Sequence, residues 1–93
     1  MASRMMQFRS KVALGHYELT AHAKDEMEQD GFAISDVKLA VYNGRILKRQ
    51  RHRGSPVKYV VQGKAADGRK LRLVCRVTGT KKLRIITVFE AQG

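Results

Sequence analysis

The sequence predicts an α+β fold in which two to three N-terminal helices pack on one face of a four-stranded, mainly antiparallel twisted sheet. Two observations support this prediction. Up to Asn43 the apolar residues recur every three or four positions, which is the spacing of amphipathic helices. From Arg45 onward apolar and polar residues alternate and β-branched residues become frequent, which is typical of strands. Because 93 residues suffice for one hydrophobic core, we expect a single domain over residues 1–93.

Two helices are predicted before Phe32. A loose helical stripe over residues 4–14, closed by Gly15, predicts a first helix whose free end frays, so that residues 1–14 form an N-terminal addition. Thr20 is a good N-cap for a second helix, which ends at Asp30 because Gly31 supplies a left-handed cap. The inward stripe of this second helix consists of Leu19, Ala23 and Met27.

A third, short helix is predicted from Ser35 to Asn43. Ser35 is the expected N-cap, and Ile34 and Leu39 occupy the positions of a hydrophobic staple. The helix is expected to stop at Asn43, which is followed by a glycine. The core-facing residues of this helix are Val37, Ala40 and Val41.

Four strands are predicted in the second half of the chain. Residues 46–52 are expected to form an edge strand, because charged side chains recur along them and an edge tolerates charge. Residues 57–64 and 70–78 form the next two strands, joined by an Asp67-Gly68 hairpin turn. Residues 83–90 complete the sheet as an interior strand, because they are apolar on both faces.

The charge is segregated along the chain. The net charge is +11, yet residues 45–84 contain fourteen Lys or Arg and one acid, whereas residues 16–43 contain six acids and two lysines. A small body with such a basic half attracts polyanions, so nucleic acid is the leading partner class. An acidic protein and an anionic membrane surface are the alternatives at this point.

The composition also argues against disulfides, metal sites and a membrane span. A single cysteine, Cys75, permits neither an internal disulfide framework nor a cysteine-based zinc site, and alternation places it in a strand as a small buried residue. The spacing of His, Asp and Glu forms no convincing metal site, so we expect no metal and no cofactor. No run approaches the roughly 18 apolar residues of a membrane span, which favours a cytoplasmic protein with no membrane partner.

Alternation in residues 70–78 predicts a basic sheet face. Leu71, Leu73, Cys75 and Val77 form the core set, which leaves Arg72 and Arg76 on the face away from the helices. Arg84 and either Lys58 or Lys64 are expected to join them there. Such arginines can bind phosphates bidentately. In a nuclease, Arg72 can also stabilise a pentacoordinate phosphate. The alternative is a solvated basic face that keeps the sheet from aggregating.

Two histidines are candidates for proton transfer. His22 lies four residues before Glu26 on the second helix, so the carboxylate can orient the ring. The alternative for His22 is a helix histidine that packs against the sheet. His52 lies in a run of arginines that includes Arg49, Arg51 and Arg53, and a histidine kept neutral there can accept a proton. The alternative for His52 is a solvated histidine on an edge strand.

The chain resembles a known family over residues 15–90. The resemblance lies in the segments YELTAHAKDEMEQDGFAISDVKLAVYNGRIL, KYVVQGKAADGRKLRLVCRV and LRIITVFE. They resemble the DUF4258 family of small bacterial domains, which is similar in turn to the RelE/ParE and barnase-like group of toxin folds. The resemblance implies a metal-independent ribonuclease that acts through 2′-hydroxyl attack and is neutralised by an antitoxin.

Carried over by position, His22 matches the histidine of the family, and Arg69 and Thr87 match positions near the active face that the resemblance implies. Three positions differ from the family pattern. Glu26 and Asp30 stand where arginines are usual, and Phe89 stands where tyrosine is common. If those arginines contact phosphate, this protein binds RNA differently or has lost cleavage.

These observations predict a toxin-like RNA-binding protein, acting as a metal-independent endoribonuclease in a toxin-antitoxin system. The partners are then RNA, or another nucleic acid, and an acidic antitoxin protein. The alternatives are a non-catalytic nucleic-acid-binding module and a basic protein-interaction domain. The predicted catalytic residues are His22, His52 and Arg72. The predicted nucleic-acid-binding residues are Arg49, Arg51, Lys58, Arg69, Arg72, Arg76 and Arg84.

Overall fold

The structure, a computed structural model, describes residues 3–92 and forms three helices and one five-stranded mixed sheet. The helices are α1 (Arg4–Ala13), α2 (Ala21–Asp30) and α3 (Ile34–Asn43). The strands are β1 (Tyr17–Leu19), β2 (Arg45–Gln50), β3 (Lys58–Lys64), β4 (Lys70–Val77) and β5 (Leu83–Glu90). Their order in the sheet is β1-β5-β4-β3-β2, and β1 runs parallel to β5 while the other pairs are antiparallel. The predicted α+β class is confirmed, the predicted first helix corresponds to α1, and residues 1 and 2 of the predicted N-terminal segment lie outside the described residues.

The sheet contains one strand more than predicted. Tyr17–Leu19 pairs in parallel with β5, with Tyr17 opposite Leu83 and Leu19 opposite Ile85. Leu19 therefore belongs to β1 and not to the inward stripe of α2, although it packs against the same core. Three residues are too few for an alternation pattern, and the partner strand comes much later in the chain. The sequence pattern therefore did not predict β1.

The core lies between the helices and one face of the sheet. Leu71, Leu73 and Cys75 of β4 are buried there, as predicted, whereas Val77 is only partly buried against the same core. Burial raises the pKa of the Cys75 thiol to about 12, so the unreactive neutral form prevails at physiological pH. The largest fully buried side chains are Phe8, Val37, Val41, Val61, Leu71, Leu73, Cys75, Leu83, Ile85 and Val88. Burial of each large apolar side chain contributes about 1.5–3 kcal/mol, so this layer stabilises the fold.

The ends of α2 are those predicted. The Thr20 hydroxyl accepts the backbone N–H of Ala23 at 3.1 Å and donates to the Ile86 carbonyl at 2.9 Å, so it joins the helix to β5. Gly31 ends the helix with φ 71°, a left-handed conformation that glycine adopts without a steric cost. None of the helices in residues 3–92 is long and apolar enough to cross a membrane.

The predicted start of α3 was wrong. The N-cap is Ala33 and not Ser35, because the Asp36 carboxylate accepts the Ala33 N–H at 2.9 Å and stabilises an earlier start. Asp36 also accepts the Ala66 N–H at 3.0 Å, which ties α3 to the turn between β3 and β4. With Ala33 as the cap, the staple positions fall on Phe32 and Val37, both buried. The expected staple pair, Ile34 and Leu39, is partly exposed.

The bounds of the four predicted strands differ from the observed bounds by at most two residues, and the difference in β2 changes the position of His52. The edge position of β2 is confirmed, but β2 ends at Gln50, so His52 lies in the loop and not on a strand. β5 lies between β1 and β4 and is therefore interior, as predicted. The β4–β5 register shifts between Val74 and Cys75. Ile86 and Thr87 are both half-buried, and Val88 returns to the core.

Candidate nucleic-acid interface

The sheet face opposite the core is strongly basic. Alternation along the strands and the register between them place on this outer face Glu18, Arg45, Lys48, Gln50, Lys58, Val60, Gln62, Lys64, Lys70, Arg72, Val74, Arg76, Arg84, Thr87 and Phe89. All of these side chains are half-buried or exposed, whereas the alternate residues of β3 and β4 point into the core. The outer face thus holds eight cations and one carboxylate among the described residues.

Like charges face each other across this surface. Arg76 lies directly opposite Arg84 in the β4–β5 register, and Lys64 lies opposite Lys70 in the β3–β4 register. Like charges in cross-strand pairs are destabilising. Arg84 donates through Nε to Glu18 at 3.1 Å, an exposed pair that solvent screens, whereas no ion pair of Arg76 is found in residues 3–92. The facing residues Arg76 and Arg84 therefore carry a net positive charge that an anion can neutralise.

Arg72 occupies the middle of the outer face and is held by a neutral neighbour. Its Nε and Nη2 both donate to Gln62 Oε1, at 3.2 and 2.6 Å, and its guanidinium carbon lies 6.0 Å from the Phe89 ring centroid. Gln62 orients the guanidinium without cancelling its charge. Because an arginine has five N–H groups, three of them are not used by Gln62. Arg72 therefore keeps its positive charge and part of its donor capacity.

A recess opens at one end of the outer face. Its volume is about 430 Å³, and it is lined by Asn43, Arg45, Gln62, Gly63, Lys64 and Lys70. Asn43 is held in place because its side-chain amide donates to the Lys64 carbonyl at 3.0 Å and accepts the Lys64 N–H at 2.8 Å. Three cations thus border a depression next to Gln62.

The structure brings together only part of the predicted binding set. Lys58, Arg72, Arg76 and Arg84 share the outer face. Arg49 pairs with the buried Tyr59, which places it on the helix side of the sheet at the β2 edge. Arg51 is exposed in the loop after β2. The role of each in binding stays a prediction.

Arg69 differs from the cations of the outer face because it donates to backbone carbonyls and to carboxylates of other elements. Its Nη1 donates to the Asp30 carbonyl at 2.7 Å and to Glu90 Oε1 at 3.0 Å, and its Nη2 donates to the Gly31 carbonyl at 3.2 Å. Its Nε donates to Asp67 Oδ2 at 2.7 Å. Arg69 therefore joins the start of β4 to the last turn of α2 and to the end of β5.

These bonds leave Arg69 little capacity for phosphate. Four of its five N–H groups are engaged, and its guanidinium carbon lies 4.3 Å from the centroid of the Phe32 ring. The backbone and side-chain N–H groups of Arg69 hold the pKa of Asp67 below its usual range. The hydrogen bonds to Asp67 and Glu90 raise the pKa of Arg69. The contacts describe a structural clamp on the C-terminal end of α2.

We expect Arg69→Ala to lower Tm by several degrees, because two helix carbonyls and two carboxylates lose their donor. A carboxylate whose folded pKa is lowered contributes stability above the ordinary aspartate pKa and loses it as the pH falls through the folded value. The Tm difference from wild type should therefore be largest near neutral pH and shrink in acid. Thermal unfolding followed by circular dichroism measures it, with Arg53→Ala, an exposed loop arginine, as the control. Equal Tm values for the two variants at neutral pH would contradict the clamp.

The two candidate histidines lie at opposite sides of the sheet. His22 is on α2 beside β5, with 68% of its side chain exposed and its Nε2 3.2 Å from Glu26 Oε1. His52 is exposed in the loop between β2 and β3, where its carbonyl accepts the Ser55 N–H at 3.0 Å. Three strand spacings separate β5 from β2, or about 14 Å. His22 and His52 therefore do not converge on one reacting phosphate.

Glu26 and Asp30 close the free edge of β5, a role that the sequence did not indicate. β1 pairs with β5 only as far as Ile85, and beyond it Glu26 Oε1 accepts the Val88 N–H at 3.1 Å and Asp30 Oδ2 accepts the Glu90 N–H at 2.9 Å. Four helical residues rise about 6 Å and two strand residues about 6.6 Å, so acids spaced by four match alternate strand amides. The acids at positions 26 and 30 thus have a structural role. The signal available in the sequence was a pair of acids four residues apart on the predicted second helix.

Within residues 3–92 no three His, Cys, Asp or Glu side chains lie close enough together to hold a metal ion.

A family model described as "Domain of unknown function (DUF4258)" matches residues 19–90, from the end of β1 to the end of β5. No curated protein and no solved structure matches the chain. The match covers most of the chain and includes the clamp, the β5 edge and all of the outer face except Glu18. The chain therefore belongs to the DUF4258 family.

Proposed function

We propose that this chain is a toxin-like RNA-binding protein that holds the RNA backbone on the outer face of its sheet. The observation that supports binding most strongly is the facing pair Arg76 and Arg84 in a surface with eight cations and a single carboxylate. Phosphate groups would relieve the repulsion of this pair and gain charge-assisted hydrogen bonds. On this proposal the protein acts in the bacterial cytoplasm.

The outer face also suits single-stranded RNA. Val60, Val74 and Phe89 form a half-buried apolar strip between the cations of β3, β4 and β5. Bases of a single strand can stack on an aromatic ring while their phosphates meet lysine and arginine. Phe89, with the Arg72 guanidinium near its ring, is the platform that we propose for one base.

Binding can be tested by fluorescence anisotropy with a labelled single-stranded RNA at several salt concentrations. Arg76→Glu is expected to weaken binding about tenfold or more, and to reduce the slope of log affinity against log salt, which is about −0.7 per neutralised phosphate. The matched control is Lys24→Glu, which makes the same charge change on the exposed surface of α2. Lys24→Glu should weaken binding less than about twofold. Equal losses for the two variants would mean that net charge alone attracts RNA, and the outer face would be rejected as the site.

Cleavage is a second candidate function, favoured by the His22–Glu26 contact. The Val88 N–H holds Glu26, and Glu26 Oε1 lies 3.2 Å from His22 Nε2, an arrangement that orients a histidine for proton transfer. This proposal describes a metal-independent endoribonuclease of a toxin-antitoxin system. The same RNA incubated in EDTA tests it, since wild type should yield products and His22→Gln should not. Absence of products, or equal products from both proteins, would leave RNA binding without catalysis.

A further inference from the structure

A second surface lies on the helix side of the molecule, between α1 and the turn that joins β4 to β5. It is a shallow groove of about 600 Å³. Met6, Leu14 and Val77 provide its apolar lining, and Arg4, Lys11 and Lys81 are its cations. Most of the groove comes from residues that precede the family match, which begins at residue 19. Most of the groove therefore lies outside the matched segment, which contributes Val77 and Lys81.

The apolar lining of the groove is unusually open. Met6 is 55% exposed and Leu14 is 66% exposed, although α1 also buries a separate stripe that contains Phe8 and Val12. Single exposed apolar residues are common, but here two of them meet Val77 in one depression. Methionine is flexible and adapts its shape to different apolar partners. This lining is suited to a large apolar side chain from another molecule.

The cations of the groove have no carboxylate partner within residues 3–92. Lys11 Nζ donates to the Lys81 carbonyl at 2.6 Å, and Arg4 Nη1 donates to Gln7 Oε1 at 2.8 Å. Both acceptors are neutral, so they orient the side chains without cancelling the charge. The groove therefore combines an apolar surface with three uncompensated positive charges.

Lys81 is also held in an unfavourable backbone conformation. Its φ is 64°, and it is the one non-glycine residue with positive φ in the described part of the chain. Glycine adopts this conformation freely, whereas a residue with a side chain does so at a cost. Gly79, two residues earlier in the same turn, shows no positive φ. A costly conformation next to a groove often accompanies a function, and here it presents a lysine where glycine would be more stable.

We propose that this groove binds a segment of a partner protein in which acidic side chains flank a large apolar side chain. The acidic groups would neutralise Arg4, Lys11 and Lys81, and the apolar side chain would cover Met6 and Leu14. The exposed apolar lining favours a protein segment over nucleic acid, whose phosphates gain nothing from methionine and leucine. The groove lies on the helix side, so this binding does not rest on RNA binding by the outer face.

The test uses a short fluorescein-labelled peptide that alternates glutamate with leucine, added to the whole protein at physiological salt. Leu14→Ser and Lys81→Gly are each expected to weaken binding about tenfold, which corresponds to 1.4 kcal/mol. Lys81→Gly should also raise Tm, because glycine relieves the positive φ. Loss of affinity together with a gain in Tm separates a binding role of Lys81 from a structural one. Arg76→Glu, on the outer face, should leave peptide binding unchanged while it weakens RNA binding.

Three results would overturn the proposal. The first is no binding of the peptide to the wild-type protein. The second is equal binding of a control peptide in which serine replaces each leucine, because charge alone would then explain the interaction. The third is an equal loss of peptide binding in Arg76→Glu, because the peptide would then occupy the outer face.

Discussion

Replacing Gly63 with alanine is expected to lower the free energy of unfolding by about 3 kcal/mol. Gly63 lies in β3 beneath the C-terminal turn of α3, where a Cβ atom would overlap the Ala40 carbonyl oxygen. The same Cβ would lie 2.6 Å from Asn43 Oδ1 and 2.7 Å from the Ala40 carbonyl carbon. Asn43 cannot easily move away, since two hydrogen bonds fix it to the backbone of Lys64. The helix must therefore shift from the sheet, which opens the packing around the buried Val41.

Urea denaturation measures this loss, and Gly79→Ala is the matched control. A Cβ at Gly79 meets no atom within 4 Å and the residue shows no positive φ, so its replacement should change stability by less than about 1 kcal/mol. If both variants unfold at the same urea concentration as wild type, the close approach of α3 to β3 is not what requires glycine at position 63.

Removing the acids that close the β5 edge is expected to have the second largest effect. Glu26→Ala and Asp30→Ala should each lower the free energy of unfolding by about 1–3 kcal/mol, because a partly buried backbone N–H loses its acceptor. The double variant exposes a strand edge beyond Ile85, and open edges pair with other chains. We therefore expect faster hydrogen exchange at the Val88 and Glu90 amides, and association that increases with protein concentration.

The controls for this prediction lie on the same helix. Glu28→Ala removes an exposed acid whose side chain makes no hydrogen bond to β5 within residues 3–92, so it should leave both exchange rates and association unchanged. Glu26→Gln retains an oxygen that can accept the Val88 N–H, so it should keep most of the stability. Unchanged exchange at Val88 in Glu26→Ala would show that α2 does not protect this edge.

The strong local patterns in the sequence predicted the fold well. Thr20 and Gly31 mark the ends of α2 because a side-chain cap and a left-handed glycine act within a single turn. β5 follows its predicted bounds of residues 83–90. The start of α3 was misplaced because Asp36 caps the Ala33 N–H by reaching backward along the chain, which makes Ser35 an ordinary first-turn residue.

The role of Arg69 shows why part of the site escaped prediction. Its partners Asp30, Gly31 and Glu90 lie up to 39 residues away, and no local pattern connects them. The basic character of Arg69 suggested phosphate binding, whereas its position beneath the end of α2 engages most of its N–H groups. The contacts of Glu26 and Asp30 also escaped prediction, because their strand partners are at least 60 residues away.

The sequence by itself determined the order and type of the main elements, the two faces of β4 and the segregation of charge, because periodicity and pleating are local properties of the chain. Only the tertiary structure decided which cations are neighbours. The register between β4 and β5 sets Arg76 against Arg84, and the position of β2 at the far edge separates His52 from His22. These neighbours depend on strand order and register, which are set by packing between residues far apart in the chain.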